Sequence, residues 1–395
     1  MLQSKRKGCR VGIVGAGTAG LATAIGLARH GHEVHVFEKH PSLATLGAGV
    51  LIQPQGVAAI GDLGVGPAFE AASVPIERLV GLNHRGWKLV DIAYGDLQAR
   101  AVSRSALGGV LHQECLRLGV ALQFGADVAS VRAQDGRGLI AAGDTVHDFD
   151  FVVIANGATS RLPADSGLAV PSTPYAWGAL WSLIDLPAWH APTDLLQRYG
   201  GTRRMFGIMP TERVQDGLRV SFFWSLHRGQ HAVWLATLIE DWKAELLALW
   251  PESSAVVERI HSHDQFAFAS YCHARPARLA EGPIAIVGDA AHAMSPQLGM
   301  GSTLAVQDAL ALAGSVQQYG PSEGLARYSA GRLRTVRAYQ ALSRALTPCF
   351  QAGGNGWWRD LIFAGGLYVP GTRYLMHRSL AAPRRCVREA WAEAS

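Results

Sequence analysis

Paired cysteines are missing from this chain of 395 residues. Its five cysteines are odd in number and widely separated, and no C-x-x-C pair occurs. This spacing argues against a disulfide framework or a cysteine-rich zinc site and favours a reducing compartment, so we predict a cytoplasmic protein. The histidines show no H-E-x-x-H spacing, and no metal site is expected. The cysteines are Cys9, Cys115, Cys272, Cys349 and Cys386.

A strong charge of one sign and a long hydrophobic run are also missing. Lys plus Arg number 36 against 31 Asp plus Glu, and the net charge of +5 is too small to indicate a nucleic-acid-binding protein. The longest uncharged apolar run, near residues 361–370, is far shorter than the ~20 residues of a membrane-spanning helix. Basic residues 5–7 before the uncharged stretch 11–28 imitate a secretion signal, but the glycines in that stretch indicate folded structure.

The N-terminal segment has the pattern of a strand, a helix and a second strand. Apolar and β-branched residues at 10–14, helical spacing at 18–30 and alternation at 33–38 predict a βαβ unit. The other predicted elements are a helix at 99–119 and buried strands at 149–155 and 283–287.

The middle of the chain differs in composition and pattern, because it has several prolines and strand-like segments in which aromatic residues alternate with others. We therefore predict an α/β fold: a Rossmann-like nucleotide-binding domain with an inserted β-sheet substrate domain and a helical C-terminus. The predicted bounds are 1–165 and 276–320 for the nucleotide-binding domain, 166–275 for the inserted domain and 321–395 for the helical region, with 73–100 as a possible addition to the inserted sheet.

A glycine motif lies between the first strand and the first helix. In Gly15-x-Gly17-x-x-Gly20, the first glycine suits a tight turn, the second lets the backbone approach a pyrophosphate and the third allows close packing of the helix. Glu38 ends the next strand, where a carboxylate can accept hydrogen bonds from a ribose. Motif, strand, helix and terminal acid together predict dinucleotide binding.

A second constellation follows the strand at 283–287. This strand leads to Asp289, and a glycine turn at 299–301 then opens an apolar helix. A carboxylate at a strand end and free backbone N–H groups at a helix N-terminus suit a polyol chain and a ring that becomes anionic on reduction. These two features describe a flavin.

The order of these motifs resembles the FAD-dependent aromatic hydroxylases, the single-component flavoprotein monooxygenases of the para-hydroxybenzoate hydroxylase type, and within them the urate and salicylate hydroxylase branch. The resemblance covers nearly the whole chain. It implies FAD, with NADPH or NADH as transient reductant, and hydroxylation of an aromatic or heteroaromatic small molecule by dioxygen through a flavin hydroperoxide. The FAD-binding residues that it implies are Gly15, Ala16, Gly17, Gly20, Glu38, Gly49, Arg104, Val128, Gly157, Asp289, Pro296, Gly299, Met300 and Gly301.

The resemblance also implies particular roles. Asp289 would hold the ribityl chain, Arg104 would reach the FAD phosphates or ribose, and the main chain at Val128 would meet adenine. One position departs from the family pattern, because Asn156-Gly157 stands where an Asp-Gly pair is common. Asparagine can still donate and accept hydrogen bonds, but the lost charge bears on flavin reduction.

The substrate residues are predicted on weaker signals. Trp181 lies on an aromatic strand face that could line an apolar pocket or belong to the core, Arg204 could anchor a substrate or be a surface arginine, and Gln53 lies in a segment beside the flavin in related enzymes. The aromatic and apolar positions considered with Trp181 are Tyr175, Trp177, Phe206, Ile208, Phe222 and Trp224.

Other interpretations stay open. His292 is interpreted as a packing and hydrogen-bonding residue, although a base is the alternative. The expected partners are an aromatic small molecule and dioxygen, without nucleic acid or a transmembrane segment, in a monomer or homodimer. The alternative functions are another flavin oxidoreductase (an epoxidase, a Baeyer–Villiger-like enzyme or one that inserts no oxygen) and a non-catalytic flavin-binding protein. The arginines interpreted as a solvated helix face, with docking of a pyridine nucleotide or an acidic substrate as the alternative, are Arg327, Arg332, Arg334, Arg337 and Arg344.

Overall fold

The computed structural model describes residues 8–43 and 48–366. Residues 5–7, Cys386 and the part of the predicted helical region from 367 onward lie outside the described residues.

The strands are β1 (Arg10–Val14), β2 (Glu33–Glu38), β3 (Gly49–Ile52), β4 (Val74–Ile76), β5 (Arg78–Asn83), β6 (Lys88–Ala93), β7 (Ala99–Ser103), β8 (Ala121–Phe124), β9 (Val128–Gln134), β10 (Arg137–Ala142), β11 (Thr145–Phe149), β12 (Phe151–Ile154), β13 (Ser172–Leu186), β14 (Asp194–Gly200), β15 (Arg204–Val214), β16 (Gly217–His227), β17 (Ala267–Ala274), β18 (Ala280–Glu281) and β19 (Ile284–Ile286).

The α-helices are α1 (Thr18–Arg29), α2 (Pro54–Asp62), α3 (Gly66–Ala71), α4 (Arg104–Arg117), α5 (Leu162–Asp165), α6 (His231–Ala236), α7 (Ile239–Leu249), α8 (Ser254–Val257), α9 (Asp289–His292), α10 (Gly301–Tyr319), α11 (Pro321–Phe350) and α12 (Trp357–Gly366). Single 3₁₀ turns occur at Arg228–Gln230, Pro251–Ser253, His263–Gln265 and Pro296–Leu298.

The nucleotide-binding part is built on a mainly parallel sheet in the order β18-β19-β12-β1-β2-β8. The strands β1, β12 and β19 are almost entirely buried, which explains their continuous apolar sequences. Helices α1 and α10 contact each other on this sheet, and the cluster of buried residues includes Leu21, Ile25 and Val306. The βαβ unit predicted at 10–38 is present, with α1 ending at Arg29.

The second large sheet has the order β17-β13-β16-β15-β14-β5-β6. It therefore takes strands from 78–93 as well as from the middle of the chain. One face is covered by α6, α7 and α8 and forms a core rich in tryptophan. The other face packs against β3 and β7, which in turn contact helices α2, α4 and α10.

A small sheet in the order β3-β7-β4 corrects one expectation. The segment 99–119 was predicted to be a single helix, but its first five residues form β7 and pair with both β3 and β4. Helix α4 begins only at Arg104, where the Ser103 hydroxyl caps it by accepting a hydrogen bond from the N–H of Ala106. Pairing with two distant strands overrides the local helical pattern.

The C-terminal part of the described chain is helical, with α10, α11 and α12 in succession. Helix α11 has 30 residues and packs along α10. Within residues 8–43 and 48–366, no helix combines the length and the apolar character needed to cross a bilayer.

Candidate functional site

The first glycine turn joins β1 to α1 in a tight geometry. Gly15 has φ +104°, and a Cβ there would lie 2.8 Å from the Cα of Asn156. A Cβ on Gly20 would lie 1.9 Å from the carbonyl oxygen of Gly15, so neither position accepts a side chain. A Cβ on Gly17, by contrast, would meet no described atom within 4 Å apart from its own residue and its two chain neighbours. The open side of the turn is thus the one above the N-terminus of α1, where a phosphate is expected.

The Glu38 carboxylate is fixed at the end of β2. One oxygen accepts from the N–H of Ala16 at 2.8 Å and the other from the N–H of His40 at 3.0 Å. The carbonyl of Glu38 accepts from Ala126 at 2.8 Å, which brings the segment before Val128 to the same sheet edge. Glu38 therefore lies beside both the first glycine turn and the segment that precedes Val128.

The second glycine turn lies after β19. Gly288 has φ +61°, and Asp289 follows it with an exposed side chain at the start of α9. Gly299 has φ +60°, and a Cβ on Gly301 would lie 3.9 Å from the Asp289 carboxylate. The Asp289 carboxylate thus stands beside the N-terminus of α10. Pro296 opens the 3₁₀ turn before Gly299, and the buried Met300 precedes α10.

A buried ionic network fixes this turn from behind. The Asp308 carboxylate accepts from the N–H of Gly288 at 3.0 Å, from His292 Nε2 at 2.5 Å and from Arg332 Nε at 2.8 Å. Burial tends to raise the pKa of Asp308, but the charges of His292 and Arg332 and these hydrogen bonds lower it to about 2. Asp308 was missed by sequence reasoning because it lies in an otherwise apolar helix.

The network also settles two interpretations. His292 is fully buried and bonded to Asp308, in agreement with its interpretation as a hydrogen-bonding residue. Arg332 is a correction: it was grouped with solvated arginines, but its side chain is 13% exposed and pairs with a fully buried carboxylate. Arg327, which lies earlier on the same helix α11, is exposed and pairs with Glu323.

Strand β3 lies on the inner face of the seven-stranded sheet, the face opposite α6, α7 and α8. The N–H of Gly49 donates to Ser221 Oγ at 3.0 Å, and a Cβ there would lie 2.6 Å from the Ser221 Cβ. At the end of β3, Gln53 is 1% exposed and its Nε2 donates to the carbonyl of Leu298 at 3.4 Å. A Cβ on Gly299 would lie 3.7 Å from that nitrogen. Gln53 thus joins the second glycine turn to β3.

The inner face carries Trp181. The Trp181 ring lies 5.2 Å from that of Phe223, and its Nε1 donates to the hydroxyl of Tyr271 at 3.1 Å. Burial raises the pKa of Tyr271. The charges of Arg104 and Asp289 also act on this hydroxyl, in opposite directions. Tyr271, which sequence reasoning missed, thus contacts Trp181 and carries a hydroxyl on which the charges of two predicted cofactor residues act.

Arg204 does not lie with Trp181. It pairs with Glu245 of α7, and its guanidinium carbon lies 5.6 Å from the centre of the Trp224 ring. Because Trp224 and Phe223 are successive residues of β16, they point to opposite faces, which puts Arg204 on the helix-covered face. Of the other aromatic and apolar positions considered, Phe206, Ile208, Phe222 and Trp224 belong to the core under the helices.

The Asn156-Gly157 pair follows β12 and lies against the first glycine turn. Asn156 is exposed and Gly157 has φ +89°. A side chain on Gly15 would meet the backbone of Ala155 and Asn156. The departure from Asp therefore lies at the edge of the predicted pyrophosphate site.

The two turns fit a flavin dinucleotide. Gly17 leaves an open cradle at a helix N-terminus, the fixed Glu38 carboxylate has lone pairs left for a ribose, and the exposed Asp289 carboxylate faces the second turn. Within the described part of the chain, no group of three or more His, Cys, Asp or Glu side chains could hold a metal ion.

Comparison with known proteins agrees with this geometry. A family model described as the FAD binding domain matches residues 8–343. The FAD-dependent urate hydroxylase of Klebsiella oxytoca is 27% identical over 345 residues, which cover 82% of this chain and 86% of the relative. The salicylate hydroxylase of Pseudomonas putida is 30% identical over 354 residues, with 79% of this chain and 78% of the relative covered.

Solved structures show the same fold. A variant of 2-methyl-3-hydroxypyridine-5-carboxylic acid oxygenase superposes with a TM-score of 0.76 at 20% identity. The match covers 91% of this chain and 96% of that one. The architecture is thus a Rossmann-type FAD-binding fold with an added β-sheet and a helical C-terminal part.

Proposed function

We propose roles for individual residues and a position for the substrate. The chain belongs to the FAD binding domain family and is an FAD-dependent aromatic hydroxylase. The protein is a monooxygenase, and a reduced nicotinamide nucleotide is the usual reductant of the family. The proposal names the residues that bind the cofactor and the place where the substrate ring lies.

The proposal depends on one observation, the position of Tyr271. Its hydroxyl accepts from Trp181 on the sheet and is under the electrostatic influence of Arg104 and Asp289. This supports a site in which the cofactor residues and the inner sheet face come together near this hydroxyl. We infer that the flavin ring lies beside the second glycine turn and that the substrate lies between it and Trp181.

In this arrangement, each of the named residues binds one part of FAD or lines the substrate position. Gly17 and the N-terminus of α1 bind the pyrophosphate, Glu38 accepts from the adenosine ribose, and Asp289 accepts from the ribityl hydroxyls. When bound, FAD supplies the redox and oxygen chemistry. Trp181 and Phe223 form an apolar wall that orients an aromatic ring and keeps water away from the reacting position.

The substrate proposed is a small aromatic or heteroaromatic compound. The names of the relatives support this class, since they include urate and salicylate hydroxylases and 3-amino-4-hydroxybenzoate 2-monooxygenases. We further propose a cytoplasmic location, from the free cysteines, and a monomer or homodimer.

The test is the stoichiometry of the purified, FAD-loaded protein. NADPH or NADH consumed, peroxide released and hydroxylated product are measured across a panel of aromatic acids and N-heterocycles. We expect at least one compound to give product in proportion to nucleotide consumed. Nucleotide oxidation that yields only peroxide with every compound would count against a substrate between the flavin and Trp181.

A further inference from the structure

A polar cluster lies at the junction of β13, β17, the end of α11 and the 3₁₀ turn before Gly299. Gln297 Nε2 donates to the Tyr175 hydroxyl at 3.1 Å and to Gln351 Oε1 at 2.6 Å, and the Tyr175 hydroxyl also donates to Gln351. The Tyr175 ring meets the His273 ring edge to face at 5.2 Å. The cluster thus joins the 3₁₀ turn before Gly299 to the seven-stranded sheet.

Three polar side-chain atoms around this cluster are shielded from solvent and lack a hydrogen-bond partner within the described residues. They are Gln297 Oε1, His273 Nδ1 and Arg344 Nη1. A shielded polar atom without a partner costs roughly 1–3 kcal/mol, and a charged one costs more. Three such atoms in one place therefore indicate a bound polar group rather than a packing defect.

Helix α11 brings Arg344 to this place. Gln340, one turn earlier, donates to the carbonyl of Ala274 at 2.7 Å, and Thr347, one turn later, contacts the Ser295 hydroxyl at 3.3 Å. Arg344 therefore lies over the end of β17, next to His273. Burial lowers the pKa of His273, and the positive charge of Arg344 lowers it further.

Arg344 differs from two other arginines of the same helix, each of which has a carboxylate partner. Arg327 pairs with Glu323, and Arg332 pairs with Asp308. Among residues 8–43 and 48–366, no carboxylate forms an ion pair with Arg344. Its charge is available to a ligand.

We propose that Arg344, His273 and Gln297 form an anion-binding subsite that takes an oxyanion next to a hydrogen-bond donor. Arg344 donates to the oxyanion, and Gln297 Oε1 accepts from the neighbouring donor. Two sources carry this chemistry: the carboxylate of a hydroxylated aromatic acid, and the phosphate and ribose of a reduced nicotinamide nucleotide. The first source rests on the proposed function.

The test compares Arg344→Gln with the parent in two anaerobic titrations of FAD-loaded protein. In the first, benzoate binding is followed by the flavin absorbance. In the second, the apparent Kd of NADPH is taken from the rate of flavin reduction. We expect Arg344→Gln to weaken one of the two by about tenfold or more, since hydrogen bonds to charged groups contribute about 1.5–3 kcal/mol. The titration affected identifies the source of the anion.

Arg327→Gln is the matched control, because it removes an exposed arginine of the same helix, and both affinities should stay unchanged. Arg344→Lys should recover part of the lost affinity. If Arg344→Gln does not retain FAD, His273→Gln takes its place with the same expectation. Affinities for benzoate and NADPH within twofold of the parent overturn the subsite. Both titrations exclude oxygen, so this failure is distinct from an absence of hydroxylated product.

Discussion

Replacing Asp308 by asparagine removes the negative charge that holds the second glycine turn in place. The fully buried carboxylate fixes the N–H of Gly288, and Asp289 is the next residue along the chain. In Asp308→Asn, Arg332 and His292 keep their places but lose the charge that they share. The variant should therefore affect both the stability of the fold and the binding of FAD.

The size of the effect follows from the network. A pKa of about 2 against the ordinary 3.8 corresponds to about 2 kcal/mol in favour of the charged form. Leaving the largely buried Arg332 without its counter-ion costs about 3–5 kcal/mol. We expect a loss of about 3–5 kcal/mol in the free energy of unfolding.

The sign of the pH dependence is fixed by the lowered pKa. The contribution of Asp308 is fully present above about pH 4 and is lost as the pH falls through about 2, so it persists at neutral pH.

Two assays at neutral pH measure the effect. Denaturant unfolding gives the stability, and the fluorescence of released FAD gives its affinity. Glu323→Gln is the control, because it removes a carboxylate that pairs with Arg327 on the exposed face of α11 and should cost less than about 1 kcal/mol. An unchanged unfolding midpoint and full FAD occupancy in Asp308→Asn would refute the role of the network.

Three further predictions concern the cofactor and the pocket. Gly17→Ala should fold normally but bind FAD more weakly, whereas Gly20→Ala should lose stability because its Cβ would meet backbone at 1.9 Å; unfolding and FAD titration of both variants check this contrast. Asn156→Asp should speed anaerobic flavin reduction by NADPH without changing FAD content, and a slower or equal rate would show that asparagine is already adapted. Trp181→Leu should raise the fraction of NADPH that ends as peroxide while FAD stays bound, whereas Trp250→Leu in the helix-covered core should cost ~3–5 kcal/mol and leave coupling intact.

The local sequence pattern was sufficient to predict an element where the burial of its residues repeats regularly along the chain. Strands β1 and β2 have the predicted bounds, because a strand buried on both faces is continuously apolar and a half-buried one alternates. The two glycine turns could be predicted because positive φ values, such as +104° at Gly15 and +60° at Gly299, favour glycine over most other residues.

What could not be predicted depends on partners far away in sequence. Strand β7 forms by pairing with strands about 25 and 50 residues earlier, and nothing in its own sequence distinguishes it from the start of a helix. Arg332 resembles a surface arginine until Asp308 is found against it. Tyr271 gains its place only from Trp181 on the neighbouring strand.

The central claim is that the chain inserts an oxygen atom from dioxygen into an aromatic compound held beside its flavin. The most direct test is turnover of the FAD-loaded protein under ¹⁸O₂ with NADPH and an aromatic substrate from the panel, followed by mass spectrometry of the product. The account predicts a product heavier by one ¹⁸O atom. A product that carries only oxygen from water, or an oxidised product with no added oxygen, would contradict it.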